Sequence, residues 1–163
     1  ELNLPYETLE QFGAKLGADV PFLVQGGTAF AEGIGEKLKP VTVEFPKAVL
    51  VATPHCAVPT KDAYAGVKPS GNVRWEQFRS AWNGTLSFEF YNKFEESVFP
   101  KYPMIQDLKN KLENLGAFKT LMSGSGASVF ALFDSEENAK KALAIIEPTV
   151  RFSRITQFKE KLI

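Results

Sequence analysis

The sequence predicts an α+β fold, and three segments carry that prediction. Ala48–Thr53 (AVLVAT) is an unbroken, β-branched-rich apolar run, as expected of a buried strand. Ile105, Leu108, Leu112 and Leu115 recur at helical spacing and form the clearest amphipathic helix in the chain. Residues 117–121 and 127–133 read as two strands joined through Ser123, Gly124, Ser125 and Gly126.

The remaining elements follow in chain order. Leu9, Phe12 and Leu16 share one face of a helix over residues 8–16, and Gly17 is placed to end it in a left-handed cap. Residues 21–24, 28–32 and 36–38 read as small strands separated by glycine turns. Pro54 and Pro59 break the strand after Thr53, and Thr60 is expected to N-cap a short helix over residues 61–65. KPSGN, residues 68–72, is turn chemistry. Trp75, Phe78 and Trp82 repeat as a helical face, and Phe90, Phe94, Val98 and Phe99 suggest a further helix stopping before Pro100. Gly116 ends the helix that carries Leu112. Ser135 is placed to N-cap a helix bearing Ala139, Ala142, Leu143 and Ile146 and ending at Pro148, and a strand over residues 150–158 closes the order. From residue 48 the sequence is strand, helices, strand, strand, helix, strand. That is the ferredoxin-like βαββαβ order with extra helices in the first crossover. Residues 1–46 do not fit that unit, and their apolar face has no obvious cover.

Composition narrows the function classes. The 163 residues carry 19 Lys plus Arg against 19 Asp plus Glu, for a formal net charge of +0. That balance argues against a basic nucleic-acid face or a polybasic membrane patch. At 44% hydrophobic and with 14 Phe, the chain can build a real core. No apolar run approaches the ~20 residues of a membrane span. Cys56 is the only cysteine and His55 the only histidine, which excludes a disulfide scaffold and leaves too few soft ligands for structural zinc. A neutral chain with a lone cysteine suits a cytoplasm.

Four segments could carry chemistry. Asp19, in LGADVPF, lies on a short connection between a helix and a proline-stiffened segment. Such a carboxylate either serves as general base or cation partner, or caps a turn by accepting backbone N–H bonds. The Ser123, Gly124, Ser125, Gly126 loop either forms an anion-binding nest of backbone N–H groups or is a plain hairpin turn. It is neither a phosphate-binding Gly-Lys-Ser/Thr loop nor a dinucleotide fingerprint. Tyr64, on the short helix after the first strand, either stacks on a planar base or covers a core edge. His55 and Cys56, as neighbours in an extended stretch, face opposite ways and cannot pair as base and nucleophile. Asp134, Glu136 and Glu137 read as a solvated helix N-terminus.

Taken together, LGADVPF, GGTAFAEGIGE, VATPHCAVPTKDAY and SGSGASVFALF resemble the C-terminal part of the 4-diphosphocytidyl-2-C-methyl-D-erythritol kinases, members of the GHMP kinase superfamily. The resemblance runs from about Thr8 to Phe158. It implies an α+β fold: a ferredoxin-like C-terminal GHMP-kinase domain over residues 47–163, preceded by a remnant of the N-terminal kinase domain over residues 1–46. It implies an ATP-dependent kinase of the non-mevalonate isoprenoid pathway, with Mg²⁺ required by the kinase class and no metal ligand assigned in this chain. Asp19 would be the catalytic base toward the substrate's tertiary 2-hydroxyl, with Gly17 and Ala18 beside it at the substrate. Tyr64 would stack on the cytosine. Ser123, Gly124, Ser125 and Gly126 would be the superfamily's third motif, near the phosphates and the substrate.

The family's N-terminal lysine, its cytosine-reading residues and its ATP phosphate loop have no counterpart in this sequence. The chain is therefore expected to be a fragment with an incomplete ATP site and no kinase activity alone, bacterial in origin. Leu9, Phe12, Phe22 and Phe30 would lack their usual cover, with a homodimer through that face, or its partial disorder, as the consequence. The partner is then a small molecule, the cytidine diphosphate ester, with no nucleic acid and no membrane. Two alternatives remain at this point: another GHMP small-molecule kinase, and a non-catalytic ferredoxin-like ligand-binding module.

Overall fold

The structure, a computed structural model, describes residues 4–35, 37–40, 48–68 and 91–158. These fall into two compact units, residues 4–40 in one and residues 48–158 in the other. The helical face of Trp75, Phe78 and Trp82, residues 69–72 of the KPSGN turn, Phe90 and Glu36 lie outside the described residues.

In the N-terminal unit, helix α1 (Tyr6–Leu16) packs on helix α2 (Val20–Gln25). A Cβ on Gly13 would lie 2.9 Å from Val20 Cγ1, so the two helices approach this closely because residue 13 has no side chain. Gly17 does not adopt the expected left-handed cap. Its φ of 176° is extended, and its N–H still donates to Gly13 O at 3.1 Å. Residues 21–24, expected as a strand, form most of α2. A four-residue apolar run has no resolvable period, and Pro21 in the first turn, where a missing N–H is harmless, suits a helix start. Strands β1 (Ala29–Glu32) and β2 (Lys37–Pro40) form an antiparallel hairpin, with Glu32 opposite Lys37. Leu9, Phe12 and Phe22 are exposed, whereas Phe30 is half-buried.

In the C-terminal unit, strands β3 (Ala48–Thr53), β4 (Lys119–Met122), β5 (Val129–Phe133) and β6 (Phe152–Thr156) form a sheet in the order β4-β5-β3-β6, with every neighbouring pair antiparallel. Helices α3 (Thr60–Gly66), α4 (Glu95–Val98) and α5 (Pro103–Asn114) lie between β3 and β4, and α6 (Glu136–Ile146) lies between β5 and β6. This is the ferredoxin-like α+β arrangement that the element order predicts. The core is built from Leu50, Ala52, Val129 and Phe133 of the sheet against Ile105, Leu112 and Ile146 of the helices.

Local signals set most of the boundaries. Helix α5 closes in a Schellman motif, with Gly116 at φ 93° donating to Glu113 O and Ala117 N–H reaching back to Leu112 O. Ser135 caps α6 by accepting from Asn138 N–H at 3.2 Å, and Glu136 and Glu137 pair with Lys140 and Lys141 one turn on. Helix α6 stops at Ile146, and a single 3₁₀ turn, Glu147–Thr149, carries Pro148. The cap expected from Thr60 is not made. Pro59 occupies the cap position and Thr60 is already helical, so its hydroxyl is free for other partners. The helix expected around Phe94 reduces to the single turn of α4. No helix among the described residues is long and apolar enough to cross a membrane.

Leu112 is fully buried between α5 and the sheet. Leu112→Ala is expected to destabilise the chain by about 2–5 kcal/mol, read as a lower urea midpoint at unchanged m-value.

Candidate functional site

The β4–β5 connection is set by hydrogen bonds at both its ends. Ser123 N–H donates to Ser128 O at 2.8 Å, and Gly126 N–H folds back onto Ser123 O at 3.0 Å. Gly124 and Gly126 sit at φ 55° and 95°, the left-handed side of the map that glycine takes without penalty. The connection is thus a hairpin turn, and it also has the character of a nest. Among the described residues, the N–H groups of Gly124 and Ser125 have no protein acceptor. Side chains brace the turn from the β3 side. Thr53 and Ser128 share a hydroxyl hydrogen bond of 2.8 Å, and Thr60 Oγ1 lies 3.4 Å from Ser125 Oγ.

The β3–α3 connection brings Tyr64 to the surface of the same unit. The residue is 64% exposed, and its ring meets that of Phe94 in a T-shaped contact, centroid to centroid 4.8 Å at 74°. Helices α3 and α4 meet closely because residue 66 is glycine: a Cβ there would lie 2.6 Å from Ser97 Cβ. Ser97 Oγ completes the contact by donating to Ala63 O at 3.4 Å. Tyr64 therefore leaves most of its surface to solvent and is not among the buried core residues.

His55 and Cys56 differ from expectation in one respect. Cys56 N–H donates to Pro54 O at 2.8 Å, which bends the chain into a γ-turn where an extended stretch was expected. No hydrogen bond joins their side chains among the described residues. Burial pushes the Cys56 thiol up, partly offset by the charge of Arg151, so it is no activated nucleophile.

In the N-terminal unit, Asp19 stands at the cap position of α2. Its backbone oxygen accepts from Leu23 N–H at 3.3 Å, whereas its exposed carboxylate makes no cap hydrogen bond. Gly17 and Ala18 are half-buried beside it. The β1–β2 turn passes close by, since a Cβ on Gly35 would lie 3.5 Å from Ala18 O and 3.7 Å from Asp19 Oδ1. Among the described residues no group of three or more His, Cys, Asp or Glu could hold a metal ion.

Sequence reasoning missed Asn92 and Glu95, whose side chains bind the β4 end of the turn. Their partners are backbone groups some thirty residues away, which no local spacing rule reaches.

These features belong to a recognisable class. Residues 76–148 match the family model described as GHMP kinases C terminal. Within the class, the chain is similar to kinases that act on one named compound. It is 40% identical over 146 residues to the 4-diphosphocytidyl-2-C-methyl-D-erythritol kinase of Bacteroides fragilis, covering 86% of this chain and 52% of that protein. It is 33% identical over 159 residues to the kinase of the same name from Thermodesulfovibrio yellowstonii, covering 90% and 55%. The chain thus spans about half the length of the curated relatives it matches. Among solved structures, a 4-(cytidine 5′-diphospho)-2C-methyl-D-erythritol kinase superposes with a TM-score of 0.70 at 28% identity over 91% of this chain and 56% of its own. A homoserine kinase from Cytophaga hutchinsonii gives 0.74 at 20% identity over 98% of this chain and 59% of its own, a likeness of fold alone.

Gly126 is closely surrounded, with a hypothetical Cβ 3.0 Å from Met122 Sδ and 3.3 Å from Val58 Cγ2, whereas Gly124 has nothing within 4 Å. Gly124→Ala is expected to destabilise by about 1–2 kcal/mol from backbone strain alone. Gly126→Ala should destabilise by more, and urea unfolding of the two variants side by side reads the order.

Proposed function

We propose that the chain is the C-terminal part of an ATP-dependent kinase that phosphorylates the 2-hydroxyl of 4-diphosphocytidyl-2-C-methyl-D-erythritol, inactive without the rest of the enzyme. Residues 1–46 are read as the end of the N-terminal kinase domain and residues 47–163 as the C-terminal domain. The division of the described residues between 40 and 48 supports that reading. The observation that carries the substrate assignment is Tyr64: an aromatic side chain left mostly in solvent, with Phe94 beside it, suits stacking on a cytosine.

Each role is assigned within its own unit. Asp19 is the base that withdraws or orients the hydroxyl proton as the oxygen attacks the γ-phosphorus of ATP and the bridging bond to the β-phosphate breaks, releasing ADP, with Gly17 and Ala18 beside the substrate. A carboxylate that makes no capping bond keeps its lone pairs for that proton. In the turn formed by Ser123, Gly124, Ser125 and Gly126, the N–H groups of Gly124 and Ser125 face phosphate oxygens. They supply the positioning and charge stabilisation on which phosphoryl transfer depends. ATP is the co-substrate. Mg²⁺ would neutralise phosphate charge when ATP is bound, and this reading assigns no residue of this chain to it. A cytoplasmic location fits the relatives, and a second copy covering Leu9, Phe12 and Phe22 is the protein partner this reading carries.

Two outcomes test it. In calorimetric titration of this chain with the cytidine diphosphate ester, Tyr64→Ala should weaken binding about tenfold or more, stacking being worth about 1–3 kcal/mol per base; equal affinity would remove Tyr64 from the site. For Asp19, a chimaera supplying the remaining half from the Bacteroides fragilis kinase should turn over the ester. Asp19→Asn should then lower kcat about 10²–10⁴-fold with the thermal midpoint unchanged. Undiminished turnover would leave only a binding module.

A further inference from the structure

We propose that Asn92 and Glu95 are positioning residues that set the direction of the Ser125 N–H in the 123–126 turn. The inference rests on the kinase reading above, in which that N–H meets a phosphate oxygen.

Strand β4 is the edge of its sheet, so the N–H and C=O of Met122, its last residue, point outward with no strand to receive them. Residues 92 and 95 take that place. Glu95 Oε1 accepts from Met122 N–H at 2.8 Å, and Asn92 Nδ2 donates to Met122 O at 2.7 Å. Capping an edge strand needs no more than this. Asn92 goes further, because the same Nδ2 also donates to Gly124 O at 2.7 Å, inside the turn.

That second bond has a geometric consequence. The Gly124–Ser125 peptide is planar and trans, so its N–H points opposite to its C=O. Fixing Gly124 O on Asn92 therefore aims Ser125 N–H away from Asn92, and that N–H has no acceptor among the described residues.

The clamp is itself held at three points. Asn92 Oδ1 accepts from Phe94 N–H at 3.0 Å, which settles which end of its amide donates. Glu95 Oε2 pairs with Lys109 Nζ at 2.7 Å, both side chains being mostly buried at 14% and 19% exposure. Lys109 Nζ also lies 5.6 Å from the Phe99 ring centre. Phe94, the next residue but one after Asn92, is the ring that meets Tyr64. One four-residue segment thus holds the turn on one side and borders the stacking residue on the other.

The test uses the full chain and the cytidine diphosphate ester as probe, read by ¹⁵N–¹H spectra and calorimetry. Asn92→Asp keeps the shape but replaces the donor with an acceptor. The Ser125 and Gly126 signals should move, Ala139 and Ala142 of α6 should stay in place, and affinity should fall about tenfold. Glu95→Gln keeps an oxygen acceptor for Met122 but leaves Lys109 unpaired, so it should move the turn signals less than Glu95→Ala, which removes the acceptor and should shift them fully and weaken binding. If Asn92→Asp does not fold, Asn92→Ala removes the donor without adding charge and carries the same expectations. Moved turn signals with undiminished affinity, or turn signals that do not move, would overturn the positioning role alone. Where the wild-type chain does not bind the ester, the same variants are read in the chimaera with the remaining half of the Bacteroides fragilis kinase; a folded chimaera that does not turn over the ester overturns the kinase reading, and the role with it.

Discussion

Strand β3 is the constraint on which the C-terminal unit depends. It is bonded along both edges, to β5 and to β6, and five of its six residues are buried. A one-residue slip of this strand would turn Leu50 and Ala52 away from the core helices. The observed register sets Ala52 against Val129 and brings Thr53 beside Ser128, where their hydroxyls bond. The same end of the sheet therefore collects the exit of β3, the entry of β5 and the exit of β4. Tyr64, eleven residues past Thr53, and the 123–126 turn are placed by one packing decision made in the core.

Much of this was legible because its causes are local. AVLVAT has no polar residue before Thr53, Gly116 ends α5 in the left-handed conformation only glycine takes freely, and Ser135 caps α6 as its hydroxyl allows. The failures are equally physical. PFLV is apolar throughout, so period two and period 3.6 fit it equally, and Pro21 in a first turn decided for helix. Thr60 was displaced from its cap by Pro59, whose fixed φ suits the residue just outside a helix. At the site, Tyr64 and the glycine turn could be singled out by residue type. Asn92 and Glu95 could not, because a single Asn and Glu near a short helix are ordinary until the fold brings β4 against them.

The Glu95–Lys109 pair shows why such residues are better understood as holding geometry than as adding stability. Two mostly buried charges lose much of their hydration, and their attraction does little more than repay that loss, so a well-packed apolar pair would often serve the core as well. An apolar side chain at position 95 could not accept the Met122 N–H, however, and an unsatisfied backbone donor at a half-covered sheet edge is itself unfavourable. The ion pair with Lys109 restrains the rotamers of Glu95. The arrangement yields one fixed direction for the end of β4, and the direction of the turn follows from it.

The same reasoning bears on the capping reading of Asp19. A carboxylate that caps a helix accepts N–H bonds from the first turn, and each such bond stabilises the anion and weakens it as a base. Asp19 occupies the cap position of α2 without making that bond. Pro21, in the first turn, has no N–H to offer it. The helix start is instead secured by Pro21's fixed φ and by Leu23 N–H on the Asp19 carbonyl, so the side chain is not needed for the fold. The carboxylate is thus exposed and makes no capping hydrogen bond, and the start of α2 does not depend on it.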